Sequence, residues 1–284
     1  MVLISRFTFQ TREEKNMTDI TRRNFLMSSA FAFVALRMSI QQTPPASAGP
    51  ADPMLIEDLV AAYRILAQQG VVDGYGHVSA RHNRNPNRFI MSRSLAPELV
   101  TAADLLEFDL DGNPVDAKGR ALYSERFIHA EIFRARADVN AAVHAHAPSV
   151  IPFADTNVAM RPMNHMGSFM GSGVPVFDIR KNFGMTDMLV SDSKKGHALA
   201  EVLGNKNVVL MRGHGVAVVG PTIRHVVGRS IYLEVNARMQ AQALSFNSPI
   251  TYLDPQEAQK MLDSGENGGY ERPWAAWKAK AMGK

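Results

Sequence analysis

Between Pro53 and Phe246 the chain alternates segments of helical periodicity with short apolar runs, and several of those runs are joined by turns only. That favours an antiparallel or mixed sheet between helix layers, because parallel strands need crossovers of a dozen or more residues. Asp52-Pro53 starts the first helix with a capping side chain and a first-turn proline. Leu55, Ile56, Leu59, Val60, Tyr63 and Leu66 then recur at helical spacing until Gly70. Strands are predicted at His77–Arg81, Phe89–Ser92 and Leu105–Leu110, the last closed by the Asp111-Gly112 turn. Ser124 is placed to cap a helix from Glu125 to about Ala137, packed through Phe127, Ile128, Ile132 and Phe133. Ala141–Ala147 reads as a strand, Lys194–Leu203 as a helix, and Val208–Arg212 and Val216–Val219 as strands. A long helix follows from Thr222 to about Phe246, and from Ser248 the chain reads as a Pro/Gly-rich polar tail carrying Trp274 and Trp277.

There is no cysteine among the 284 residues, so a disulfide framework, a thiolate metal site and a cysteine nucleophile are excluded. Any metal must be held by His, Asp or Glu, and nine histidines are present. The net charge of +4 is concentrated at the N-terminus. Residues 1–48 hold six basic side chains (Arg6, Arg12, Lys15, Arg22, Arg23, Arg37) and three acidic ones (Glu13, Glu14, Asp19); without them the balance is +1. Nucleic acid then has no electrostatic footprint to bind. Thr21-Arg22-Arg23-Asn24-Phe25-Leu26 resembles the twin-arginine export consensus. An apolar stretch to Leu36 and the small-residue site Ala46-Ser47-Ala48 follow. About 12 apolar residues are too few to span a bilayer that needs roughly 20. Residues 1–48 are therefore expected to be a signal peptide, with Met17 an alternative start, residues 49–250 the folded domain and 251–284 a tail. The expected location is the periplasm, or the cytoplasm if the signal is not used, with no stable membrane insertion of the mature chain.

His144 and His146 are two apart in the predicted strand, which puts both imidazoles on one face. Such a pair can converge on an ion, or can simply satisfy polar partners in a half-buried sheet. His214 sits between Gly213 and Gly215 at a predicted turn, open to close approach by a ligand or to water. Glu125 and His129 share a helix face one turn apart. Three neutral imidazoles would leave positions open on a metal, as catalytic sites do, and a carboxylate nearby could move a proton. His82, His197 and His225 read as surface residues.

Gly76-His77-Val78-Ser79-Ala80-Arg81, Ser124-Glu125 with His129, Val143-His144-Ala145-His146 and His214-Gly215, in this order and spacing, resemble the class II aldolase/adducin family over about Leu55–Leu244. The resemblance implies a three-layer α/β/α fold with a mostly antiparallel or mixed sheet, and a homotetramer with active sites at subunit interfaces. It implies that His144, His146 and His214 bind a divalent metal, Zn2+ or Mn2+, and that Glu125 is the acid/base. The family's phosphosugar aldolases carry Asn at the position of His77, Thr-Gly at Arg93-Ser94, Ser at Tyr123, and Tyr at Met166, so the phosphate cradle is rewritten here. The substitutions resemble the family's decarboxylases of hydroxylated aromatic or pyridine dicarboxylates, with Arg93 and His77 orienting carboxylates, Ser94 and Tyr123 beside the substrate, and His165 or Glu125 delivering the proton. The expected function is a metal-dependent carbon–carbon lyase acting on a small carboxylate or carbonyl compound. Decarboxylation through an enolate or phenolate is favoured; retro-aldol cleavage and a non-enzymatic adducin-like module are the alternatives.

Overall fold

The structure is a computed structural model that describes residues 43–283. Arg22-Arg23, the apolar stretch after them and Met17 lie outside the described residues. Of the expected cleavage site, Ala46-Ser47-Ala48, all three residues are held by the folded body. Ser47 Oγ and the Ala48 N–H donate to Glu107 at 2.7 and 2.8 Å, and Arg88 donates to the Ala46 carbonyl at 2.9 Å.

Among the described residues seven strands form one sheet: β1 His77–His82, β2 Asn85–Ser92, β3 Leu105–Asp109, β4 Ala141–Ala145, β5 Val176–Phe177, β6 Val208–Met211 and β7 Gly215–Gly220. Their order is β3-β2-β1-β4-β7-β6-β5, antiparallel throughout except for the parallel β5–β6 pair. The helices are α1 Pro53–Gln68, α2 Arg126–Ala135, α3 Ile151–Asp155, α4 Arg180–Phe183, α5 Ser193–Leu203, α6 Ile223–Ser245, α7 Pro255–Asp263 and α8 Glu271–Ala281. The expected three-layer α/β/α arrangement and mixed sheet are what the chain adopts.

Strand alternation divides the core in two. Val143, Val208, Leu210, Val216 and Val218 face α1 and α6 with Leu59, Tyr63, Val226 and Val227. Phe89, Phe108, Ala142, Val209, Ala217 and Val219 face α2 and α5 with Ile128, Ile132, Phe133 and Leu199. Truncating a buried side chain such as Ile128 to Ala would cost about 2–5 kcal/mol. The second face carries the site. In the β1–β4 register His77 pairs with His144 and Ser79 with Ala142, and in β4–β7 His144 pairs with Ala217. Alternate residues share a face, so His77, Ser79 and His144 all point to the α2 side.

The local expectations differ from the structure at several element bounds, β4 ending at Ala145 and not Ala147, and in three further respects. Ser124 does not cap α2; Glu125 holds the cap position and its side chain is drawn into the site instead. His82 is 4% exposed, because its Nδ1 accepts the Arg84 N–H and its Nε2–H donates to the Gly49 carbonyl. The stretch after Ser248 forms α7 and α8, started by a capping box of Asp254 and Glu257, and Trp274 is buried in the α1/α6 core. Among the described residues no helix is long and apolar enough to cross a membrane.

Candidate active site

β4 delivers His144, and the chain just beyond it delivers His146. The β6–β7 turn delivers His214, and the N-terminus of α2 delivers Glu125. The turn depends on its glycines. Gly213 has φ +63, and a Cβ on Gly215 would lie 2.3 Å from the Ala145 carbonyl oxygen and 3.1 Å from the His146 ring. His146 Nε2 is 3.2 Å from His144 Nε2 and 3.1 Å from His214 Nε2. Glu125 Oε2 lies 3.5 Å from His144 Nε2 and 3.4 Å from His214 Nε2. One donor atom from each of the four residues lies within 4.8 Å of the others.

The hydrogen bonds behind the rings fix what those nitrogens are. His144 Nδ1 is 3.1 Å from the Val216 carbonyl and His214 Nδ1 is 3.1 Å from the Met188 carbonyl. A carbonyl only accepts, so both Nδ1 atoms carry the hydrogen and both Nε2 atoms keep a lone pair. His146 Nε2 stands at 3.1–3.2 Å from both, so the three nitrogens can share one cation. Ligand nitrogens ~2.0–2.1 Å from one ion, 90–109° apart, stand ~2.8–3.4 Å from each other, so the observed separations suit a divalent metal. Burial and the neighbouring His144 and His214 push the His146 pKa down to about 4, keeping the ring neutral and able to ligate.

Glu125 is 6% exposed. Its Oε1 accepts the Val190 N–H at 3.0 Å, which leaves Oε2 facing the imidazoles. Burial opposes its charge, but His144 and His214 outweigh that and hold its pKa below the ordinary carboxylate value. The positive end of α2 acts in the same sense. The carboxylate is close enough to serve as a fourth donor or as a base toward a ligand held among the imidazoles.

Above the cluster opens a cavity of about 610 Å³, within the usual range for small ligands. His77, Ser94, Tyr123, Glu125, His144 and His146 line it, so most of the expected site residues meet there. Leu95, Leu122 and Leu189 supply apolar wall, and the 70%-exposed Tyr75 stands 6.3 Å from His146, ring to ring. The Tyr123 hydroxyl donates to the Leu95 carbonyl, so it is the ring, 4.6 Å from that of His77, that faces a ligand.

Two expected residues lie elsewhere. Arg93 does not line the cavity, because Asp104 is within reach and takes its Nε at 2.7 Å. His165, in a 3₁₀ segment over His165–Met170, lines a separate groove with Met166, Arg224, Tyr232 and Trp274. Asp178 pairs with Arg212 at 2.7 Å, just before the His214 turn. The sequence reading missed Ser79, and it did not foresee that His129 is fully buried between Ser79 and His77. The spacing of His77 and Ser79 on one strand is the signal that could have found it.

The Class II Aldolase and Adducin N-terminal domain matches residues 57–241. Decarboxylase tropJ of Talaromyces stipitatus is 37% identical over 206 residues, 68% of this chain and 77% of that protein. A 3,4-dihydroxyphthalate decarboxylase of Arthrobacter keyseri is 28% identical over 235 residues, 77% of this chain and 90% of that protein. Among solved structures, an aldolase II superfamily protein from Pseudomonas syringae superposes with a TM-score of 0.69 at 25% identity, covering 82% of this chain and 94% of that one. Class II aldolases depend on a divalent metal, the Glu125–His144–His146–His214 cluster has the donors to hold one, and the decarboxylase relatives support a lyase. With sheet order, histidine cluster and family match all covering the same residues, this chain belongs to the class II aldolase and adducin family.

Proposed function

We propose that this chain is a divalent-metal-dependent carboxy-lyase that removes carbon dioxide from a small hydroxylated aromatic or heteroaromatic (di)carboxylate. The observation that carries the reading is the convergence of three imidazole Nε2 atoms and the Glu125 carboxylate under a cavity with apolar walls. The decarboxylases among its relatives favour this reaction over aldol cleavage.

His144, His146 and His214 would hold the metal, Zn2+ or Mn2+. Bound there, it supplies a Lewis acid for the negative charge left when a carbon–carbon bond breaks. Glu125 Oε2 takes the proton of the substrate hydroxyl and returns it to the ring carbon from which the carboxylate departs. Carbon dioxide leaves without the bonding electron pair, and the carbon gains that hydrogen. His77 orients the substrate carboxylate, Ser94 and the Tyr123 ring border the aromatic plane, and Leu95, Leu122 and Leu189 keep water away. Arg93, paired with Asp104, steadies the segment leading to Ser94 from behind the wall. His165 acts from a second copy, in line with the interface sites and tetramer that the family resemblance implies.

The test is to give metal-loaded protein 3,4-dihydroxyphthalate and, separately, a sugar-like hydroxy-carbonyl compound, and to assay carbon dioxide and aldehyde. Carbon dioxide release that stops with chelator is the expected result. Aldehyde release instead would assign retro-aldol chemistry, and protein that takes up no metal when offered it and is inert to both would return the adducin-like binding module.

A further inference from the structure

Behind the cavity, Ser79, His129 and His77 form one hydrogen-bonded chain. Ser79 Oγ is 2.6 Å from His129 Nδ1, and His129 Nε2 is 2.7 Å from His77 Nδ1. Ser79 and His129 expose no surface, and His77 is 3% exposed. His77 stands in the cavity wall with its ring 4.6 Å from Tyr123 and 5.0 Å from His144. Burial pushes the His129 pKa down to about 3, so that ring is neutral.

A neutral imidazole has one N–H and one lone pair, so the chain can run in only two directions. In the first, His77 Nδ1–H donates to His129 Nε2 and His129 Nδ1–H donates to Ser79 Oγ. The Ser79 hydroxyl hydrogen then needs another acceptor, and among the described residues Ser79 Oγ has no partner besides His129. A buried hydroxyl hydrogen left without a partner is strongly disfavoured. In the second direction Ser79 O–H donates to His129 Nδ1, and His129 Nε2–H donates to His77 Nδ1. Every hydrogen inside the chain is then used, and His77 carries its own on Nε2, the one ring nitrogen of the three residues with no partner among the described residues.

We infer that Ser79 and His129 are positioning residues that lock His77 as its Nε2–H tautomer, so that the cavity presents a neutral hydrogen-bond donor to an anionic substrate oxygen, a carboxylate. The opposite lock acts on His144 and His214, whose Nδ1–H groups are taken by backbone carbonyls. One sheet face thus offers imidazoles of two kinds, Nε2 atoms turned to a cation and an Nε2–H turned to an anion. An N–H donor without charge recognises the carboxylate yet does not hold carbon dioxide once it forms. The ligand half of this inference rests on the proposed carboxy-lyase reading; the tautomer half does not.

Neutron diffraction from deuterium-exchanged crystals of the full chain reads the tautomers directly. Deuterium on Nε2 of both His77 and His129 is expected, and deuterium on His77 Nδ1 would overturn the lock. Binding of 3,4-dihydroxybenzoate, a catechol carboxylate, to metal-loaded protein provides the second measurement. Ser79→Ala should weaken it about tenfold with metal content unchanged, and Ser79→Thr, which keeps the hydroxyl, should restore it. Equal binding by wild type and Ser79→Ala, or an equal loss in Ser79→Thr, would overturn the positioning role. Deuterium on His77 Nε2 together with no binding of the probe would overturn the ligand class, and with it the carboxy-lyase reading, while the tautomer stands.

Discussion

Two groups of imidazoles share one face of the sheet, with the rings of His77 and His144 only 5.0 Å apart, yet they are built on opposite rules. In the His144–His146–His214 group, backbone carbonyls take the outer hydrogens of two rings, and the inner nitrogens of both turn toward His146 Nε2. In the Ser79–His129–His77 group, donors and acceptors alternate and nothing is left facing its like. The first arrangement gathers the donors that a cation would take; the second is complete in itself. The difference shows that histidines gathered in one place do not all serve one role, and that the atoms behind each ring decide which role it takes.

The sharpest way to break the comparison is to remove the cation. Chelation, or His144→Ala, should lower carbon dioxide release at least ~10³-fold, and chelation should lower the Tm, since a ligand bound only by the folded state stabilises it. The hydrogen-bonded group should be unaffected by chelator. Glu125→Gln comes next. It keeps the size of the side chain but cannot move a proton, so the rate should fall by about 10²–10⁴-fold while elemental analysis finds the metal retained.

A third experiment separates what one chain supplies from what a second does. His165 lies in a different groove from Glu125. Glu125→Gln and His165→Ala proteins, each impaired alone, should regain part of the activity when unfolded together and refolded as a mixture. No recovery would contradict action from a second copy, and full activity of His165→Ala alone would place His165 outside the reaction.

The smallest effect concerns the self-contained group and is read in stability. The His129 pKa is about 3 in the folded chain against an ordinary value of 6.5. As pH falls, the unfolded chain takes that proton first. Stability is therefore full above about pH 6.5 and declines below it, the loss growing until the pH nears 3. For His129 alone it reaches about 3 kcal/mol at pH 4. His146, pushed down to about 4, works in the same direction. Urea unfolding of metal-free protein between pH 4 and 6 should show this slope, and His129→Leu should reduce it by about one proton. An unchanged slope would mean that His129 is not held neutral.

Much of the fold was legible because it is written locally. Asp52-Pro53 and Thr222 announce α1 and α6, and both side chains do accept from the first turn. The four residues of the cluster were legible as well, three as histidines beside glycine or in a predicted strand and one through its place in the family pattern. What escaped needed neighbours from far along the chain. Arg93 reads as a free guanidinium until Asp104 is brought to it, and Ser79 reads as an ordinary strand serine until α2 lays His129 across β1. Helices α7 and α8 were obscured by Pro255, Gly265, Gly268, Gly269 and Pro273, which read as loop. Yet the Asp254–Glu257 capping box was present in the sequence all along.

Three imidazole nitrogens and a carboxylate converge where a divalent ion is proposed to bind, and the most direct measurement is the metal content of the purified chain. Elemental analysis should find one divalent ion per chain in the wild type, and far less than one in His146→Ala protein that remains folded. Wild-type protein that is folded and takes up no divalent metal when it is offered, or a His146→Ala variant with undiminished metal, would contradict the account.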